Sequence, residues 1–111
     1  MSNCRSWASS EFSQLSLGDV RLNNRMIDIA ASMSNAPSLP LNQVSDDWKA
    51  VKASYRFFEN IKVTSSKIIA PHIVNTVKRA KSYDFIYVVQ DTSVIDFSRH
   101  QKTTGLGEIG G

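Results

Sequence analysis

The clearest helical pattern in the sequence lies in residues 19–34, DVRLNNRMIDIAASMS. Apolar residues recur there at intervals of three and four positions, the spacing that places them on one face of an α-helix. Asp19 comes before this pattern, and its side chain suits the N-cap position of a helix. Pro37 and Pro40 follow the pattern and cannot continue the helical hydrogen bonds. The stretch therefore predicts an amphipathic helix that begins after Asp19 and covers a core.

Three further segments carry helical patterns, at residues 6–15, about 45–58 and about 65–82. In the second of them, three aromatic residues share a stripe with Val51 and are predicted to lie in the core: Trp48, Tyr55 and Phe58. In the last segment the apolar residues Ile69, Ile73, Val77 and Ala80 are predicted to point inward. Pro71 lies inside that segment, which predicts either a kink or a new helix that starts at this proline.

The sequence after residue 82 changes character. Residues 85–90, FIYVVQ, are rich in β-branched and aromatic side chains and predict a strand, and residues 94–97, VIDF, predict a second short one. The predicted fold class is therefore α+β and mainly α. Two short strands do not make a stable sheet in water, so this part of the chain lacks the strands that it needs as partners.

Composition excludes several classes of protein. The single cysteine, Cys4, cannot form an internal disulfide, and no second cysteine is present for a thiolate zinc site. No apolar run approaches the roughly 18 residues that a membrane helix needs, and the first residues do not resemble a secretory signal. We therefore expect a cytoplasmic protein that has no membrane partner.

Positive charge is concentrated in the first part of the chain. Residues 1–82 contain eleven Lys and Arg against six Asp and Glu, a balance of +5, whereas residues 83–111 contain two against four, a balance of −2. A basic helical region next to an acidic segment is compatible with binding to a polyanion, and equally with an ordinary solvated surface. Charge alone does not decide between these interpretations.

Four short motifs together give a more specific indication. They are SLGDVRLNNR at residues 16–25, ASYRFFEN at 53–60, VQDTS at 89–93 and RHQKTTGLGEIG at 99–110. In this order and spacing they resemble the N-terminal end of the cut-and-paste bacterial transposases of the Tn-five type, in the IS-four family of insertion sequences. The resemblance covers nearly the whole chain, from about residue 7 to residue 111.

The resemblance implies two domains. Residues 1–82 would be a small helical domain that binds the double-stranded terminal DNA of the mobile element. Residues 83–111 would be the start of an RNase H-like catalytic domain, whose first strand carries Asp91, the first acidic residue of an Asp-Asp-Glu triad. In the full-length family the triad holds Mg²⁺, which activates the attacking oxygen and stabilises the leaving oxygen in phosphodiester cleavage.

The resemblance also implies which residues contact DNA. Arg25 and Arg56 fall on positions whose arginines contact the transposon end in the family. Arg21 and Lys52 are their neighbours on the two predicted helices and are candidates for phosphate contacts. Glu59 stands where the family often has a second basic residue, and its carboxylate would repel a phosphate.

The sequence is not expected to act as an enzyme. No residue matches the second Asp or the final Glu of the triad, so Asp91 alone is not expected to hold a metal ion, and no cofactor is predicted for these 111 residues. We expect an N-terminal fragment that binds DNA. Two alternatives stay open: a helical protein-interaction fragment that inhibits full-length transposase, and an inert decay product.

Overall fold

The computed structural model describes residues 2–107, and this part of the chain is mainly helical. One turn of 3₁₀ helix, Leu41–Gln43, precedes the third of four α-helices. The α-helices are α1 (Ser2–Glu11), α2 (Val20–Asn35), α3 (Trp48–Glu59) and α4 (Ser65–Lys81).

Polar side chains cap the N-termini of three helices. Asp19 accepts a hydrogen bond from the backbone N–H of Arg21 at 2.9 Å, which confirms the predicted start of α2. Asp47 caps α3 in the same way, with a bond of 2.9 Å from the N–H of Lys49. Thr64 caps α4. Each of these side chains satisfies a backbone donor that the helix itself leaves free.

A single core joins α1, α2 and α3. The face of α2 that the sequence predicts supplies much of it, and Phe57 of α3, 2% exposed, closes it from the other side. The segment between α1 and α2 also enters the core, because Leu17 is 1% exposed. The core residues are Ala8, Phe12, Leu15, Leu17, Met26, Ile29, Ala30, Ala31 and Phe57.

The turn into α2 depends on Gly18, whose φ is 85°. This left-handed conformation is strained for residues that carry a Cβ atom. It lets the chain bury Leu17 immediately before the cap at Asp19. The backbone N–H of Leu17 donates to the side chain of Asn23 at 3.1 Å, which fixes the turn on the first part of α2.

The prediction that the α3 aromatics lie in the core is wrong. Trp48 is 64% exposed and Tyr55 and Phe58 are each 46% exposed. The buried face of α3 is instead Val51, Ser54 and Phe57, at spacings of three residues. The two stripes differ by only a fraction of a turn, and the smaller side chain of Ser54 lets this face of α3 approach its neighbours closely.

α4 runs without interruption through Pro71, so no new helix starts there. The prediction that the apolar stripe of α4 points inward is wrong as well, because Ile69, Ile73 and Val77 are each about half exposed (51%, 53% and 47%). Pro71 is the buried residue of the helix. The contact of α4 with α1 is made by polar side chains of α4 that bind Glu11.

The predicted strands are not formed. In residues 83–107 the structure contains no strand and no helix, and every residue from 81 to 107 is exposed. A strand needs a neighbour to satisfy its backbone groups, and this short segment supplies too few residues to provide one. Residues 108–111, which include the last three residues of the fourth motif and the last four of the expected second domain, lie outside the described part of the chain.

Candidate nucleic-acid interface

An open groove between α2 and α3 carries four positively charged side chains. Its volume is about 390 Å³. We call it the basic groove, and it is lined by Asp19, Arg21, Leu22, Arg25, Ala53, Arg56, Phe57, Asn60 and Lys62. The four cations face a single lining carboxylate, that of Asp19, so the groove has a positive balance.

Helix periodicity explains how these cations meet. Arg21 and Arg25 are four residues apart and therefore lie on one face of α2, one turn from each other. Arg56 belongs to α3 and is adjacent to Phe57, whose burial in the core brings this part of α3 against α2. Lys62 follows in the turn after α3. Two helices and a turn thus place side chains that are far apart in sequence around one concave surface.

Asp19 has two roles at the edge of this groove. Besides capping α2, its carboxylate accepts bonds from Arg21 at 2.9 Å from Nη2 and 3.2 Å from Nε. These hydrogen bonds, with smaller effects of the backbone N–H of Arg21 and of the charge of Lys62, hold the pKa of Asp19 below its ordinary value. Asp19 is therefore ionised at neutral pH, and Arg21 is its partner.

All the residues that line the basic groove lie between residues 19 and 62 of the chain. A family model described as transposase DNA-binding matches residues 4–63, which is more than half of the chain. The chain belongs to this transposase DNA-binding family. No solved structure matches it. The transposase DNA-binding domain therefore contains the whole of the basic groove, together with α2, α3 and α1 from residue 4 onward.

The four residues predicted to contact DNA do not all lie together. Arg21, Arg25 and Arg56 line the basic groove of the transposase DNA-binding domain. Lys52 is one turn before Arg56 on α3 but is not among the lining residues. Its ammonium group lies 5.8 Å from the centre of the Trp48 ring, an arrangement that a cation–π attraction stabilises.

Lys62 is the groove cation that the sequence prediction misses. It lies in a turn outside the helical stripes from which the other candidates were chosen. The only signal was its charge immediately after the third predicted helix. The backbone N–H of Lys62 donates to the side chain of Asn60 at 2.9 Å, which fixes this turn at the end of the groove.

Asp91 lies in the exposed segment that follows α4. Its carboxylate accepts a hydrogen bond from the N–H of Thr92 at 2.8 Å. In residues 2–107 no group of three or more His, Cys, Asp and Glu side chains comes together as a metal site. The described residues around Asp91 therefore do not fit the Mg²⁺ that the resemblance implies for the complete catalytic domain.

A cluster of polar side chains, separate from the basic groove, joins α1 to α4. The sequence analysis did not predict it. Glu11 is 3% exposed, and its carboxylate accepts two bonds from Arg79, at 2.8 and 3.0 Å. Its Oε1 lies 2.6 Å from Nδ1 of His72, and Asn75 donates to its backbone carbonyl at 2.9 Å. The bonds from Arg79 are the main cause that lowers the pKa of Glu11 to about 2, against the opposing effect of burial. More than sixty residues separate Glu11 from these partners, so no local pattern indicates the contact.

No helix in the described residues combines the length and the apolar character needed to cross a membrane.

Proposed function

We propose that residues 1–82 form a domain that binds double-stranded DNA, and that its target is the terminal inverted repeats of an insertion element of the IS-four family. The observation that carries this proposal is the convergence of Arg21, Arg25, Arg56 and Lys62 in one groove within the family match. The description of that family as transposase DNA-binding supports the class of ligand. The resemblance of the sequence motifs supports the element type.

Phosphate contacts would provide most of the affinity. Each phosphate that a protein neutralises releases counterions, and the logarithm of the affinity then falls with the logarithm of the salt concentration with a slope of about −0.9 per contact. Among the residues that the structure describes, Arg25, Arg56 and Lys62 form no salt bridge like the one between Arg21 and Asp19. Three such contacts correspond to a slope of about −2.7.

Sequence discrimination would need contacts to base edges. An arginine can donate two hydrogen bonds to O6 and N7 of guanine in the major groove, and such a pair contributes about 1 to 3 kcal/mol of discrimination. Arg25 and Arg56 lie on opposite walls of the basic groove, on α2 and α3. We propose these two as the residues that combine phosphate and base contacts, with Lys52 at the margin of the surface.

The test is a salt titration of duplex binding by fluorescence anisotropy. The Arg25→Ala and Arg56→Ala variants are expected to weaken binding and to reduce the slope by about 0.9 each. Arg99→Ala is the matched control, because it removes the same charge from the exposed segment outside the groove. A wild-type affinity that does not depend on salt, or equal effects of all three substitutions, would contradict the proposal.

Residues 83–111 are, in this proposal, the start of an RNase H-like catalytic domain in which Asp91 is the first acidic residue. The 111 residues alone would not catalyse transposition, because a two-metal site needs several carboxylates from separate elements. The purified chain is expected to leave a supercoiled plasmid intact in the presence of Mg²⁺. Metal-dependent nicking that the Asp91→Ala variant abolishes would refute this part of the proposal.

A second candidate function is inhibition of a full-length transposase by binding to it. The observation that favours it is the half-exposed apolar stripe of α4, formed by Ile69, Ile73 and Val77. In a reaction of the complete transposase, an inhibitor of this kind would lose its effect in the Ile73→Glu variant and keep it in the Arg25→Ala variant. An inhibitor that only competes for DNA would show the opposite pattern.

A further inference from the structure

The basic groove contains an acidic side chain at a position where a DNA phosphate would be repelled. Asp19 lines the groove with four cations, and its carboxylate is fixed by the backbone N–H of Arg21 at 2.9 Å. Its side chain is only 23% exposed. Because it is bonded to the first turn of α2, this carboxylate cannot turn away from the groove without giving up the cap.

The same carboxylate occupies one edge of the Arg21 guanidinium. The two hydrogen bonds come from Nε and Nη2, which form an edge of the guanidinium that matches an anion with two oxygens. The Arg21 side chain is 88% exposed, so it projects into solvent where a DNA backbone could reach it. A phosphate that used this edge would have to displace Asp19, and the pair as it stands carries no net charge.

We propose that Asp19 withholds Arg21 from DNA phosphates and thereby lowers the affinity of the basic groove for DNA of arbitrary sequence. This inference rests on the proposed DNA-binding function. Non-specific binding depends on the number of phosphates that a protein neutralises. A cation that is already paired adds little to that number, whereas Arg25 and Arg56 keep their contribution and Lys62 is affected by Asp19 only through its charge.

The chain offers a substitution that separates the pairing role of Asp19 from its capping role. Asparagine caps helices about as well as aspartate does, so Asp19→Asn keeps the start of α2 and removes the charge. Asp47 provides the matched control, since it caps α3 with the same geometry and does not line the basic groove. Asp47→Asn changes the net charge of the chain by the same amount.

The experiment measures binding of the full chain to a fluorescent duplex of mixed sequence over a range of salt concentrations. Asp19→Asn is expected to steepen the salt slope by about 0.9 and to raise the affinity roughly fivefold to tenfold at about 0.1 M salt, because one more phosphate contact forms. Asp47→Asn is expected to leave both quantities near their wild-type values. Circular dichroism checks that both variants keep the wild-type helix content.

A double-mutant cycle then tests whether Asp19 acts through Arg21. Arg21→Ala is expected to lower the affinity more in the Asp19→Asn background than in the wild-type background, because only the unpaired arginine contacts a phosphate. Equal effects in the two backgrounds would mean that only the total charge of the groove counts, and would overturn the inference. So would an equal gain in Asp19→Asn and Asp47→Asn.

These results can be distinguished from failure of the proposed function. If wild-type binding is insensitive to salt and to Arg25→Ala, the chain does not bind DNA through the basic groove, and the proposed function fails. If wild-type binding responds to both but Asp19→Asn gives no gain over Asp47→Asn, DNA binding stands and the assignment of Asp19 is refuted.

Discussion

Replacing Glu11 by glutamine tests how firmly α4 is held on the rest of the molecule. The substitution keeps the shape of the side chain and one acceptor oxygen, but it removes the charge that Arg79 and His72 face. Glu11 is 3% exposed, so little water can replace these partners. We therefore expect Glu11→Gln to lower the free energy of unfolding.

The size of the effect follows from the pKa of Glu11, which is about 2 in the folded chain against an ordinary value of 4.5. At about 1.36 kcal/mol per pKa unit, the whole shift corresponds to about 3 kcal/mol. The Arg79 and His72 side chains are 54% and 51% exposed, and solvent screens their charges. We therefore expect a loss of about 1 to 2 kcal/mol.

The same carboxyl group makes stability depend on pH. Because its pKa is lower in the folded chain than in the unfolded chain, Glu11 stabilises the fold above its unfolded pKa of 4.5, and this contribution is lost as the pH falls towards 2. Urea unfolding followed by circular dichroism at several pH values measures both effects. In Glu11→Gln the decline between these pH values is expected to be shallower than in wild type.

The control for this prediction is Asp28→Asn, which breaks the more exposed ion pair between Arg5 and Asp28. Exposed pairs contribute little, so we expect a change of about 0.5 kcal/mol or less. The reasoning would be refuted if Glu11→Gln were no less stable than Asp28→Asn at neutral pH, or if its stability changed with pH as steeply as that of wild type.

Three further predictions concern other parts of the fold. Leu17→Ala removes a core side chain that is 1% exposed, and we expect it to cost about 3 kcal/mol in urea unfolding; a loss below about 1 kcal/mol would show that the site is not well packed. Gly18→Ala meets open space but must adopt a φ of 85°, so we expect a loss of about 1 kcal/mol or more, measured as a lower melting temperature. Ending the chain after Ser82 removes exposed apolar residues such as Tyr87 and Val88, at 84% and 88% exposed, and should reduce aggregation in light scattering without lowering the melting temperature. A lower melting temperature would mean that this segment packs on the helices.

Local patterns predicted four helical segments, but they placed the first at residues 6–15 instead of Ser2–Glu11 and did not give all of the buried faces. The cap at Asp19 and the stripe through Met26 and Ile29 predicted α2 correctly, because a helix of this kind is specified by its own sequence. On α3, which of two neighbouring stripes is buried depends on how each fits against the facing helices. The prediction chose the aromatic stripe because its side chains are larger and more apolar. The structure buries the stripe with Ser54 instead.

The candidate site was predictable to the extent that the resemblance located Arg25 and Arg56. Lys62 escaped because a turn residue has no periodicity that relates it to a helix face. The Asp19–Arg21 pair was equally hidden, although both residues belong to a quoted motif, since a capping side chain and a phosphate ligand are not expected to be partners. Residues 85–90 and 94–97 have the composition of strands but form none, because composition cannot supply the neighbouring strands that a sheet requires.

The contact between Glu11 and Arg79 shows that the end of a family match and the end of a folding unit need not coincide. The family match ends at residue 63, before α4 begins, yet a carboxylate inside the match has its strongest partner 16 residues beyond that end. A polypeptide cut at residue 63 would therefore keep every groove residue and still carry an acid without its counter-ion. A truncated chain that is meant to fold should therefore end after α4, the helix whose Arg79 binds Glu11 of α1.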